Sequence, residues 1–302
     1  MRLAGALLFF ALAAVAPAPA APPAAPQKPP SPAIPVTPDN FARAESDLNF
    51  AVLVKEGALG KFVHRRDPVS LDRQGVTRMN RDLLTSSAVI DLDAGPVTIA
   101  LPDAGRRFVS MQVVDENADT VEVAYGPGAT TLTKDAIKSR YALAVVRIFV
   151  AAGEPKDLDA VHALQNAIRI DQPHGPGAFS APNWDAATQV DVRMALLALA
   201  ETLPDAKGFA GPRGAGDPVR RLIGAAAAWG GLPEKDAHFV NVTPERNDGR
   251  TVHRLTLKDV PVDGFWSVSV YDGDGRFAAG PNKAYTVNSF TAETGADGAV
   301  VV

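Results

Sequence analysis

Residues 79–122 read MNRDLLTSSAVIDLDAGPVTIALPDAGRRFVSMQVVDENADTVE. A polar cluster, Asn80-Arg81-Asp82, stands directly ahead of short apolar runs rich in Val, Ile and Thr, which the turn clusters Asp93-Ala94-Gly95 and Asp103-Ala104-Gly105 separate. Such runs predict strands. Successive side chains of a strand point to opposite sides, so in 107–114 Val109, Met111 and Val113 share one face, while Phe108, Ser110 and Gln112 share the other. One face is core, and the other is free to look into a cleft. Continued to Val150, the pattern gives strands near 86–92, 97–101, 107–114, 120–125, 129–132 and 142–150.

Upstream, Thr37-Pro38-Asp39 supplies a helix start, and Phe41, Ala44, Leu48, Ala51 and Val52 recur at helical spacing, predicting a helix over 38–55. Downstream, Leu158, Val161, Leu164 and Ile168 mark a buried helical stripe in 157–170. A second helix is expected over 184–203, with Val190, Met194, Leu197 and Ala198 on one side, and a third over 218–229. Beyond them a second strand-rich block is expected at 238–242, 252–258, 265–271 and 284–288, with Asn247-Asp248-Gly249 as a hairpin turn. Phe108–Asp115 and Phe265–Asp272 share the pattern F-x-S-x-x-V-x-D, which suggests equivalent central strands in two β-rich halves.

The ends and the composition narrow the function classes. Arg2, the apolar run Leu3–Val15 and Ala18-Pro19-Ala20 read as a secretory signal over 1–20, too short to cross a bilayer as a helix. Residues 21–37, rich in Pro and Ala, read as a linker. A periplasmic or secreted location is therefore expected, with no membrane span once the signal is removed. With 30 basic and 34 acidic side chains and no like-charge block, the chain lacks the basic footprint of a nucleic-acid binder. It has no Cys, which rules out disulfides, thiolate nucleophiles and an acylated-Cys anchor. The five histidines, His64, His162, His174, His238 and His253, show no metal-ligand spacing, and no nucleotide- or phosphate-binding glycine motif follows a strand, so no metal and no cofactor is expected.

Met79-Asn80-Arg81-Asp82, Ala88–Leu92, Leu101-Pro102-Asp103, Tyr125-Gly126 and Val161-His162-Ala163-Leu164-Gln165, followed by Trp229-Gly230-Gly231, Asp263–Ser267, Val270-Tyr271, Gly275, Ala284-Tyr285 and Asp297-Gly298, resemble a pair of bacterial families. These are the domains of unknown function numbered 1254, for the N-terminal part, and 1214, for a shortened C-terminal part. The resemblance implies an exported protein with β-sandwich-like lobes and a helical part between them. It also exposes departures: the families carry Tyr where this chain has Thr85, and His and Tyr where it has Ala118 and Asp119. Family members also continue past the position where this chain has Val302.

The expected fold is α+β, with two β-rich lobes flanking a helical segment: 38–175, 176–235 and 236–302. Asn80, Arg81 and Asp82 together offer an amide, a guanidinium fork and a carboxylate, enough to hold an acidic or hydroxylated small molecule; the same groups equally serve to position the first strand. Ser86, Glu116 and Trp266 are expected to join them in a cleft, and Asp82 and Glu116 are the acid–base candidates should the protein be a hydrolase or lyase. A structural or protein-binding envelope component is the third reading and predicts an exposed apolar patch. The sequence does not define the oligomeric state.

Overall fold

The computed structural model describes residues 31–278 and 285–302. The expected signal segment 1–20, most of the linker, and Ala284 of the expected 284–288 strand lie outside the described residues. In chain order the elements are α1 (Phe41–Lys55), β1 (Val63–His64), β2 (Leu83–Asp91), β3 (Val97–Leu101), β4 (Val109–Asp115), β5 (Thr120–Tyr125), β6 (Gly128–Leu132), α2 (Lys134–Ile137), β7 (Tyr141–Phe149), α3 (Pro155–Ala167), β8 (Arg169–Asp171), α4 (Ala186–Glu201), α5 (Pro218–Ala227), β9 (Thr256–Leu257), β10 (Ser267–Ser269), β11 (Thr286–Asn288) and β12 (Val300–Val301). The fold is α+β, and residues 33–302 form one unit.

An antiparallel five-stranded sheet of order β1-β2-β7-β4-β5 organises the chain. Its strands alternate as their sequences dictate. Leu84, Ala88 and Ile90, Ala142, Val146 and Ile148, and Val109, Met111 and Val113 line one face, all buried in the main core. A three-stranded sheet of order β6-β3-β8 supplies Val97, Ile99 and Leu132 to that core, and α3 supplies Val161. The stripe predicted on α3 packs there, but the helix stops at Ala167 because residues 169–171 leave it to pair with β3. The backbone hydrogen bonds of β3's open edge, worth little individually but costly to leave unmade, outweigh one further helical turn.

On the opposite face, Phe50 of α1 packs with Val89, Tyr141, Leu143 and Trp229. The other end of α1 carries Phe41 and Ala44 into a second cluster with Leu196 and Ile223, so this helix joins the sheet to α4 and α5. Asp185 and Asp217 cap α4 and α5 by accepting from Thr188 N and from Val219 N and Arg220 N. At Gly224 a Cβ would lie 2.1 Å from the carbonyl oxygen of Phe209, so only glycine permits this approach of α5. Val190 and Met194, expected on the packed side of α4, are exposed; Gln189 and Leu196 are buried instead, with Gln189 and Arg193 bonded to Glu45. The Pro/Ala-rich stretch docks in its last residues: Ile34 pairs with Trp184, and Val36 is buried.

The C-terminal β-rich part consists of two ribbons, β10-β11 and β9-β12. Residues 238–242, expected as a strand, lie in no ladder and expose Phe239 and Val242. Asp248 caps the bend at 248–250 through Arg250 N and Thr251 N, but the residues around it are not paired as a hairpin. The two similar segments therefore differ in setting: β4 is interior to the large sheet, while β10 is a three-residue strand beside it.

Candidate functional site

The face of the large sheet opposite the main core is built in rows, because registered partners of antiparallel strands share a side. Leu83 and Phe149 form one row, with Phe108 beside them through the bond from Phe149 N to Phe108 O. The next is Thr85–Arg147–Ser110–Tyr125, running across four strands. A third is Ser87–Val145–Gln112–Val123, and a fourth, Val89–Leu143–Val114, lies under α1. Phe265 covers the aromatic row, its ring centroid 5.2 Å from Phe108 and 5.3 Å from Phe149, and Phe290 lies 4.5 Å from Phe149. The second and third rows thus run between an aromatic cover and the packing of α1 and Trp229.

Three atoms on these rows stand out. Arg147 Nη1, Ser110 Oγ and Gln112 Oε1 are shut off from solvent and have no hydrogen-bond partner among the described residues. Arg147 Nη1 is the one side-chain nitrogen among those residues in that state. Burial alone brings the guanidinium down to about 10, with no charged neighbour contributing, so it stays cationic at neutral pH. Gln112 is oriented by its amide nitrogen, which donates to Thr120 Oγ1 and to the carbonyl of Gly231, both at 2.8 Å. Tyr125 closes the row, donating to Asp236 Oδ1 at 2.9 Å; burial and then this bond push its phenol up to about 12. Thr85 and Ser87 are partly exposed and give the rows an open side.

The residues singled out in the sequence are placed elsewhere. Asn80 Oδ1 accepts from Asp82 N, and Arg81 reaches the carbonyl of Val69 and sits over the Tyr285 ring at 5.2 Å. Asp82 is buried, its two oxygens accepting from Thr286 Oγ1 and Asn288 Nδ2 at 2.9 Å each. The cluster therefore clasps the β10-β11 ribbon to the start of β2. Ser86 points into the main core side and pairs with His64 Nδ1 at 2.7 Å. Burial, then Arg66, lowers the His64 pKa below 6.5.

Glu116 lies 2.6 Å from Arg43 Nη2 and accepts from Arg140 N at 2.9 Å; burial raises its pKa against the pull of Arg43. Arg140 and Val150 flank opposite ends of β7, and Val150 N donates to Asp82 O. Glu116 and Asp82 are therefore separated by about 30 Å of strand, and the cleft expected to unite them does not form. Trp266 is partly buried, its backbone bonded with Ser289, on the flank of β10.

Two concavities, of about 150 and 340 Å³, lie near Phe209 and near Arg221, and neither lining contains an unpartnered buried polar atom. Among the described residues no group of three or more His, Asp or Glu is placed to hold a metal ion, and no helix is long and apolar enough to cross a membrane.

Strand alternation placed Ser110 and Gln112 on the face free to look into a cleft without naming them as site residues, and Arg147 was passed over. Its signal was present as the single charge within the otherwise apolar run YALAVVRIF.

The α+β architecture recurs in a solved structure, the VPA0106 protein from Vibrio parahaemolyticus, at TM-score 0.62 and 14% identity over 88% of this chain and 85% of that one. A protein from Burkholderia cenocepacia aligns at TM-score 0.40 and 13% identity over 87% of this chain and 75% of that one. Two family models match parts of the chain: residues 59–136 match the model described as Protein of unknown function (DUF1254), and residues 238–302 match Protein of unknown function (DUF1214). These are the two families the sequence motifs resemble, in the same order. No curated protein matches the chain.

Proposed function

We propose that this is an exported cell-envelope protein that binds a small carboxylate-bearing molecule on the Thr85–Arg147–Ser110 row. One observation carries the reading: Arg147 is partly buried, its Nη1 is shut off from solvent without a hydrogen-bond partner, and no counter-ion lies against it among the described residues. An unpaired buried charge is a stability liability that a fold retains where a bound anion completes it. A planar guanidinium flanked by two hydroxyls suits a carboxylate, which accepts two parallel hydrogen bonds. Asp82 and Glu116 do not share this row, and each has its oxygens engaged within the chain. The export part of the reading rests on Arg2, the apolar run that follows and Ala18-Pro19-Ala20.

A thermal-shift series with organic acids tests the binding. Wild-type protein gains stability with at least one carboxylate, by mass action, and the Arg147→Met protein gains none. Equal shifts in the two proteins would end the proposal. Fractionation of cells expressing the full chain tests export, with the processed form expected outside the cytoplasm. A protein-binding role draws on a different observation, the exposed apolar side chains Phe239, Val240, Val242 and Val252. It is tested by whether serine at Phe239 and Val242 changes the sedimentation of the protein.

A further inference from the structure

We infer that the molecule held at Arg147 is a polyhydroxylated carboxylic acid, of the sugar-acid type, and that Gln112 and Ser110 select it over an apolar acid of the same length. The inference rests on the carboxylate reading above and narrows it.

A carboxylate on Arg147 leaves the rest of the two rows unanswered. The amide nitrogen of Gln112 is committed to Thr120 and Gly231, so its buried Oε1 is an acceptor that only a donor from outside the described chain can satisfy. Ser110 Oγ, beside Arg147 in register, is likewise buried and unpartnered. Ser110 and Gln112 lie two residues apart on β4, about 7 Å along the strand, a distance that a short polyol chain spans. Thr85 and Ser87 present two more hydroxyls from β2, and the structure gives neither side chain a hydrogen bond within the described chain. Phe108 and Phe149, covered by Phe265, close one side of these rows.

An aliphatic acid would cover Ser110 Oγ and Gln112 Oε1 without answering them. Groups left unpaired in this way are what lets a polar site reject an analogue that lacks a hydroxyl.

The test is titration calorimetry of the full mature chain with gluconate and with hexanoate, carboxylates of equal chain length that differ in their hydroxyls, and with inorganic phosphate as a bare anion. Gluconate is expected to bind about tenfold tighter than hexanoate, or more. Gln112→Met should bring the two ligands close to parity. Because that change also removes the bonds to Thr120 and Gly231, Ser110→Ala provides the second variant and should narrow the same gap. Hexanoate binding as well as gluconate, with both lost in Arg147→Met, overturns the hydroxylated class while leaving a carboxylate site. Binding of neither acid overturns the sugar-acid class, and the carboxylate reading falls with it when no acid of the thermal-shift series binds either. Phosphate displacing gluconate at equal concentration reduces the site to one for bare anions and overturns the selection by Gln112 and Ser110.

Discussion

Asp82 and Thr85 stand three residues apart at the start of β2, and each belongs to a polar cluster, yet the two clusters are opposites. Around Asp82 the chain supplies partners: both carboxylate oxygens, the Asn80 amide oxygen and Arg81 Nη1 are bonded within the fold. Around Thr85 it does not: Arg147, Ser110 and Gln112 keep buried atoms with none. The first cluster consequently stabilises and the second does not. The proposed site thus rests on hydrogen-bonding capacity left over after folding, not on the density of polar residues along the sequence.

The contrast is open to direct attack. The largest effect is expected for Asp82→Ala, which leaves Thr286 and Asn288 without their acceptor and should lower stability in urea unfolding by about 3 kcal/mol. It should also make the segment around Phe265 and Phe290 an early site of limited proteolysis. A loss below about 1 kcal/mol would mean that the clasp does not hold the ribbon.

Arg147→Met should go the other way, raising stability by about 1 kcal/mol as an uncompensated charge leaves the interior, while carboxylate binding disappears. A destabilised Arg147→Met protein would break the contrast, because the guanidinium would then have a partner inside the fold.

Thr85→Val keeps shape and removes one hydroxyl from the open side of the row. Stability should stay within about 0.5 kcal/mol, and gluconate affinity should fall severalfold.

The smallest effect concerns His64, whose Nδ1 bond to Ser86 belongs to the internally satisfied kind. Its pKa is lowered in the folded protein, first by burial, so the unfolded chain takes up the proton more readily. Its contribution to stability is therefore complete above about pH 6.5 and is lost as pH falls through the folded value. The wild-type melting temperature should decline more between about pH 7 and 5 than that of His64→Gln.

Much of the fold was legible because it follows from local pattern. Strands 97–101 and 120–125 occur where alternation and turn residues put them, and the alternation of 107–114 correctly separated a core face from a polar one. What was not legible depends on distant partners. Residues 169–171 continue a helical stripe and become a strand only because β3 offers an edge. The roles of Arg81 and Asp82 depend on residues about two hundred positions later, which no local window contains. Val190 and Met194 carry the helical spacing of a buried face, but the ion pair of Glu45 with Arg193 turns another side of α4 toward α1. Arg147 was hidden differently: within an apolar run one charge looks incidental until the register sets it between Thr85 and Ser110.

The clasp also bears on the order of events during folding. Every strand of the two larger sheets lies between residues 63 and 171, so both sheets can pair before residue 286 has been synthesised. Asp82 then waits for Thr286 and Asn288, 204 and 206 positions away, and the contact closes the longest loop described here. Long-range contacts of this kind form late because the chain entropy lost in closing them is recovered only when the ends meet. The ribbon that Phe265 leads into is thus expected to dock after the two larger sheets and to leave before them, uncovering Phe108 and Phe149 while the sheet beneath them stays folded.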